Sequence, residues 1–363
     1  MRIAYVSAHY APMVGGVEKH VAELAGCVAR LGHRVEVLTH AEADTATTEE
    51  RDGVTVRRFG VPMASTNYAF SPALMKELVR VRDSFDVIHA HGYHALPALQ
   101  AALSNPRTLV FTPHYHGTGH SRFRKLLHPP YRRLGAMIFH RAGRTIAVSP
   151  PEARLILSHF PAIESRLVVI GNGVHVDSVR DAQPLAESRR IVFSAGRLES
   201  YKQVDKTIDA MAHLPADYVL RITGDGAARE GLEARAAALG LDDRIAFLGK
   251  VSEQELYRWF RSCSVYVSMS SNEAMPVAFI ESLAAGARVL ASDIPAHRDL
   301  VKKTEGSIVL TALDTDPSAL AERIEALAAQ PAAPARIETW DDVAERTLEV
   351  YEEAIGERLL SAA

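Results

Sequence analysis

The chain has 363 residues, 47% of them hydrophobic, a net charge of -3 and only two cysteines, Cys27 and Cys263. That length suits two domains, each able to bury its own core. Two cysteines in different halves argue against a disulfide framework or a Cys-ligated zinc site, and no apolar run is long enough to cross a bilayer. The residues from Met1 to Ser7 lack signal-peptide architecture, so the expectation is a cytoplasmic protein.

Short apolar runs alternate with helical periodicity along the chain, the pattern of parallel sheets covered by helices. In the first half the predicted strands are Ile3–Ser7, Val35–Thr39, Val54–Phe59, Val87–His89, Thr108–Thr112, Thr145–Val148 and Leu167–Ile170. A second series runs through Arg190–Ala195, Tyr218–Thr223, Arg244–Leu248, Val265–Ser268, Arg288–Ser292 and Ser307–Leu310. Val179 to Arg189 is polar and contains Pro184, the natural place for a linker. This gives an α/β protein with domains at 1–178 and 186–340. The last segment, Trp340 to Leu360, reads as one amphipathic helix with no strand after it.

The first strand leads into a loop from Ala8 to Gly16, with His9 and the pair Gly15-Gly16, ahead of a helix starting near Val17. Adjacent glycines before a helix let backbone N–H groups approach a phosphate, although a plain turn has the same composition. The loop is not a Gly-x-Gly-x-x-Gly fingerprint, so a dinucleotide cofactor has little support. Eight of the chain's 16 histidines fall between His89 and His140. No acidic residue lies between Val87 and Pro151, and the His-Glu-x-x-His pattern is absent. The expectation is no metal and no cofactor.

That acid-free stretch also carries Arg107, Arg122, Arg124, Lys125, Arg132, Arg133, Arg141 and Arg144. Phe123, Leu126, Leu127 and Tyr131 interleave with the cations, as an interfacial helix requires. One reading is a solvated face whose acids lie elsewhere in space. The other is a surface for an anionic acceptor or anionic lipid, which would put the protein peripherally at the inner face of a membrane.

In the second half, Gly196-Arg197-Leu198-Glu199-Ser200-Tyr201-Lys202 follows a strand, and Gly224-Asp225-Gly226 closes another. Glu273 precedes a helix that begins at Met275, Pro276 and Val277, whose free N–H groups favour a phosphate. Eight residues beyond it, Glu281 shares a helix face with Val277, Ile280 and Ala284. A carboxylate so placed needs a cationic partner or a ligand's hydroxyls. Two carboxylates bracketing an anion-binding helix start suggest a sugar nucleotide.

These motifs, in this order, resemble family 4 of the glycosyltransferases. The resemblance implies the GT-B architecture, two Rossmann-like doubly wound domains facing across a cleft, with the terminal helix 341–363 crossing back onto the first. It also implies a retaining, metal-independent hexosyltransferase using a nucleotide-sugar donor, a UDP-sugar ahead of GDP-mannose. The acceptor would be a hydroxyl of a lipid, glycan or natural product. By the same resemblance, His114 and Glu273 approach the transferred sugar and Arg197 and Lys202 hold the diphosphate. Glu281 takes the ribose, the Gly15-Gly16 loop lies against the donor diphosphate and the acceptor, and Gly224 walls the donor pocket. Lys250 and Val251 seat the base. His9, His116, Arg122, Arg124 and Lys125 are acceptor-side candidates. A nucleic acid is not an expected partner. The alternatives are a sugar-nucleotide epimerase, a phosphorylase, or a non-catalytic sugar-nucleotide or lipid-binding protein.

Overall fold

The computed structural model describes residues 1–13, 15–41, 47–61, 69–115, 135–273, 275–301, 304, 306–331, 335 and 337–362. The chain forms two compact units, Met1–Gly173 with Trp340–Ala363, and Val174–Thr339.

The first unit is built on an eight-stranded sheet of order β3-β4-β2-β1-β5-β6-β7-β8. Its strands are β1 (Arg2–Val6), β2 (Arg34–His40), β3 (Thr47–Arg51), β4 (Val54–Phe59), β5 (Val87–His91), β6 (Leu109–Thr112), β7 (Arg144–Ala147) and β8 (Leu167–Val169). All pair in parallel except β3, which runs antiparallel to β4. The central strands are buried on both faces, as a parallel sheet flanked by helices requires. Ala4 and Val6 enter one hydrophobic cluster, while Ile3 and Tyr5 enter another on the opposite face. Helices α1 (Gly16–Arg30), α2 (Pro72–Val81), α3 (Leu96–Leu103) and α4 (Pro150–His159) belong to this unit. Ser71 and Ser149 cap α2 and α4 by accepting from the N–H groups of Leu74 and Glu152.

The second unit has a six-stranded, all-parallel sheet of order β11-β10-β9-β12-β13-β14. These are β9 (Arg190–Ala195), β10 (Tyr218–Thr223), β11 (Ile245–Gly249), β12 (Val265–Ser268), β13 (Val289–Ser292) and β14 (Ile308–Thr311). Its helices are α5 (Val176–Asp181), α6 (Val204–Met211), α7 (Arg229–Ala238), α8 (Glu253–Ser262), α9 (Val277–Ala284), α10 (Pro295–Val301) and α11 (Pro317–Ala328). In sequence order within the unit this sheet reads 3-2-1-4-5-6, the doubly wound arrangement whose strand order reverses between β9 and β12. The last helix, α12 (Trp340–Ala362), returns to the first unit, where Tyr351 is fully buried and its hydroxyl bonds to Tyr5.

One expectation needs correction. The expected linker begins at Val179, yet that residue is in α5 and wholly buried in a core cluster with Phe193 and Phe279. Cys263 caps the end of α8, and both cysteines are free thiols. Strand β3 went unrecognised because its sequence, TTEER, is exposed throughout and carries no apolar alternation.

Candidate functional site

In open α/β sheets a ligand crevice forms beyond the carboxyl ends of the strands where the strand order reverses. In the second unit that point lies between β9 and β12. The loop after β9 carries Gly196, Arg197 and Lys202, and the loop after β12 carries Glu273. Lys202 Nζ donates to Glu273 Oε1 at 2.5 Å, with side-chain exposures of 20% and 10%. The Tyr201 carbonyl accepts from the backbone N–H of Ser271 at 2.8 Å and from its hydroxyl at 3.2 Å, which ties the two loops together. Arg197 is exposed and its Nη2 donates to the Tyr201 hydroxyl at 3.1 Å. Gly196, Arg197, Lys202, Ser194, Ser268 and Tyr266 line a cleft at this point.

The Gly224-Asp225-Gly226 turn positions this loop. A Cβ on Gly224, whose φ is +111°, would lie 1.9 Å from the carbonyl oxygen of Gly196. A Cβ on Gly226 would lie 2.4 Å from that of Leu198. Only glycine permits so close a backbone approach. Hydrogen bonds from Gly196 N to Thr223 O and from Leu198 N to Asp225 O complete the clamp that holds Arg197 between them.

Glu281 is 5% exposed on α9, a helix buried from Phe279 to Ala284. The hydroxyl of Tyr266, on β12, donates to Ala195 O. Its phenol is pushed far above the ordinary value, first by burial and then by the charges of Glu273 and Glu281. The two carboxylates therefore act on one buried ring. Met275, Pro276 and Val277 form the start of α9, with Pro276 at the N-cap. Lys250 and Val251 follow β11, exposed and half-buried respectively, and Gly249 of that strand accepts from Gly224 N at 2.7 Å.

His297 escaped the sequence reading, because an isolated histidine on a short helix carries no motif. It is fully buried, stacked on Phe279, with Nδ1 donating to the Ser292 carbonyl at 2.8 Å. Burial lowers its pKa, and the charges of Glu273 and Lys202 also reach it.

In the first unit, His9 and Gly15 lie on the segment after β1, and His114 lies on the loop after β6. Gly15 is the N-cap of α1, where a Cβ would collide with the Glu18 carboxylate; Gly16 is exposed with open space around it. His114 is half-buried in the left-handed backbone region at φ +47°. The next residue is anchored by Glu152, whose carboxyl accepts from the N–H groups of Tyr115 and Val148. Burial pushes the Glu152 carboxyl up to about 7, against the pull of those two bonds.

Three histidines meet here: His20 from α1, His91 from the end of β5, and His114, each offering one nitrogen within 4.8 Å of the others. They form the possible metal-ligating set found among the described residues. The sequence did not bring His20 into it, since it lies 71 residues before His91 and on a different element. His89, by contrast, is a core residue, with its nitrogens bonded to the Tyr351 and Thr112 hydroxyls.

Of the basic stretch, Arg107 pairs with Asp83 at 3.1 Å, and Arg144 pairs with Glu353 and Glu357 of α12. For those two the acids do lie elsewhere in space. His116, Arg122, Arg124 and Lys125 fall outside the described residues. No helix among the described residues is long and apolar enough to cross a membrane.

Residues 14–178 match the family model Glycosyltransferase Family 4, and residues 175–339 match Glycosyl transferases group 1. A phosphatidyl-myo-inositol mannosyltransferase of Mycobacterium leprae is 30% identical, over 97% of this chain and 96% of the relative. A D-inositol 3-phosphate glycosyltransferase of Streptomyces avermitilis is 28% identical, over 98% and 88%. Among solved structures, Anabaena HepE in complex with UDP-glucose superposes with a TM-score of 0.70 at 19% identity, covering 99% of this chain and all of that one.

Proposed function

The chain belongs to glycosyltransferase family 4 and has the GT-B two-domain fold, and from that premise we propose that it moves a hexose from a nucleotide sugar to an acceptor hydroxyl with retention at the anomeric carbon. The observation that carries this reading is the Lys202–Glu273 pair at the strand-order reversal of the second unit, with Arg197 beside it and Glu281 buried behind. Arg197 and Lys202 hold the donor's diphosphate, where fixed cations stabilise the charge that builds as the leaving group departs. Glu273 faces the sugar, and Glu281 accepts hydrogen bonds from the ribose hydroxyls. The bond from the anomeric carbon to the phosphate oxygen breaks while the bond to the acceptor oxygen forms on the same face. The acceptor proton passes to the departing phosphate oxygen. On this account the protein supplies position and electrostatics and requires no metal for the transfer.

The donor is a UDP-sugar in the first instance, a choice supported by the UDP-glucose complex of the HepE structure, with GDP-mannose second. The acceptor is a hydroxyl of a lipid, glycan or natural product. Relatives named for inositol phosphate and phosphatidylinositol favour a phosphorylated polyol among these. The stretch 122–133 is proposed as an anionic-acceptor or membrane surface, which predicts salt-sensitive binding to anionic vesicles.

Incubating the protein with a panel of sugar nucleotides tests this reading. Slow hydrolysis of one donor, accelerated by an inositol phosphate acceptor, is the expected result. Turnover of none of the panel would overturn it.

A further inference from the structure

The rings of His20, His91 and His114 have centroids 5.0, 5.5 and 5.7 Å apart. Two imidazoles on one tetrahedral zinc, with bonds of about 2.0–2.1 Å, place their centroids about 5 Å apart and their ligating nitrogens about 3.3 Å apart. His91 Nδ1 lies 3.4 Å from His114 Nε2, long for a hydrogen bond and close to that ligand spacing. His20 is already oriented as a ligand, because its Nδ1–H donates to Asn172 Oδ1 at 2.7 Å and leaves Nε2 as a lone-pair donor. An oxygen acceptor on the far nitrogen is how metal-bound histidines are commonly held. Burial also keeps the rings neutral, with His20 lowered to about 4 and His91 well below the ordinary range, so both present lone pairs at neutral pH.

We propose that His20, His91 and His114 form a site for a borderline divalent transition ion such as Zn²⁺, and that the ion inhibits the enzyme by occupying His114. The inhibition rests on the reading of His114 as a sugar-contacting residue; the binding does not. Nitrogen-only ligands select zinc, nickel or copper over magnesium or calcium. His91 Nε2 is buried without a partner among the described residues, so its ring lacks the anchoring acceptor that His20 has. That makes the site weaker than a fully supported one by about 10–100-fold, and the ion exchangeable instead of resident. Absence of acidic residues from the surrounding sequence is no obstacle, because three imidazoles suffice.

The test uses the 363-residue chain stripped with chelator. Cobalt(II) should bind at one equivalent with the visible bands of a tetrahedral site, and Zn²⁺ should displace it and raise the melting temperature. Asn172→Ala should weaken Zn²⁺ binding about 10–100-fold, and His20→Gln by at least as much. His140→Ala, at an exposed histidine of the same unit, should bind like wild type. Should His20→Gln fail to fold, Asn172→Ala still decides the matter. No cobalt spectrum, or binding that ignores both substitutions, would overturn the site. Given a donor that turns over, Zn²⁺ should lower its turnover and chelator should restore it. Full turnover with the site saturated would overturn the inhibition while leaving the proposed transferase reaction intact.

Discussion

Lys202 Nζ and Glu273 Oε1 lie 2.5 Å apart although the residues are 71 positions apart in the chain. They meet because β9 and β12 are neighbours in the sheet and both loops emerge at the same edge. Removing either member leaves a half-buried charge without its counter-charge, and under the proposed reaction removing the cation also strips the diphosphate of its stabiliser. Lys202→Ala should therefore lower kcat/KM for the nucleotide sugar by about 10²–10³-fold. Binding of a free nucleoside, which has no phosphates, should change little. Steady-state kinetics and calorimetry measure the two quantities.

Glu281→Gln should weaken binding of the nucleoside diphosphate by about tenfold or more, since a neutral amide replaces a carboxylate that accepts charge-assisted bonds. The loss should largely vanish with a 2′-deoxynucleotide, which calorimetry can show directly. Equal losses for both nucleotides would place Glu281 away from the ribose.

Gly224→Ala should cost both stability and activity, because its φ of +111° disfavours a side chain and the new Cβ would sit 1.9 Å from Gly196 O. A destabilisation above about 2 kcal/mol is expected from strain and overpacking together. Gly231→Ala is the control, on helix α7 with nothing within 4 Å of the added carbon. It should leave the melting temperature unchanged or raise it.

Stability should rise with pH between about 4 and 6.5. His20, lowered to about 4, and His89 and His91, lowered further by burial, stay neutral in the folded chain while the unfolded chain binds protons below about 6.5. Protons therefore favour unfolding across that window. Glu152 works the other way: with its carboxyl up to about 7, the folded chain holds a proton that the unfolded chain has released. Several histidines outweigh one carboxyl, so thermal melts at pH 4.5, 5.5 and 6.5 should show an increasing midpoint. Glu152→Gln should steepen the rise.

The strands that sequence revealed carry short apolar runs, wholly buried in β5, β6 and β13 and half-buried in β8 and β11. The exception, β3, is solvent-exposed and held by backbone pairing to β4, which leaves no hydrophobic signature. Arg197, Lys202, Glu273 and Glu281 stand out as candidates in the sequence because loop, helix start and charge coincide in short stretches, and the fold brings Lys202 and Glu273 into contact. The clamp of Gly224 on Gly196, the buried His297, and the meeting of His20 with His91 and His114 were not. Each depends on which loops a folded sheet brings together, and no local pattern encodes that.

The most direct test of the central claim is to follow nucleotide-sugar turnover by NMR, comparing wild type with Lys202→Ala and reading the anomeric configuration of the first-formed product. The account predicts that the wild-type product keeps the donor's configuration and that the variant's rate falls by at least about 100-fold. An inverted product, or undiminished turnover in Lys202→Ala, would contradict it.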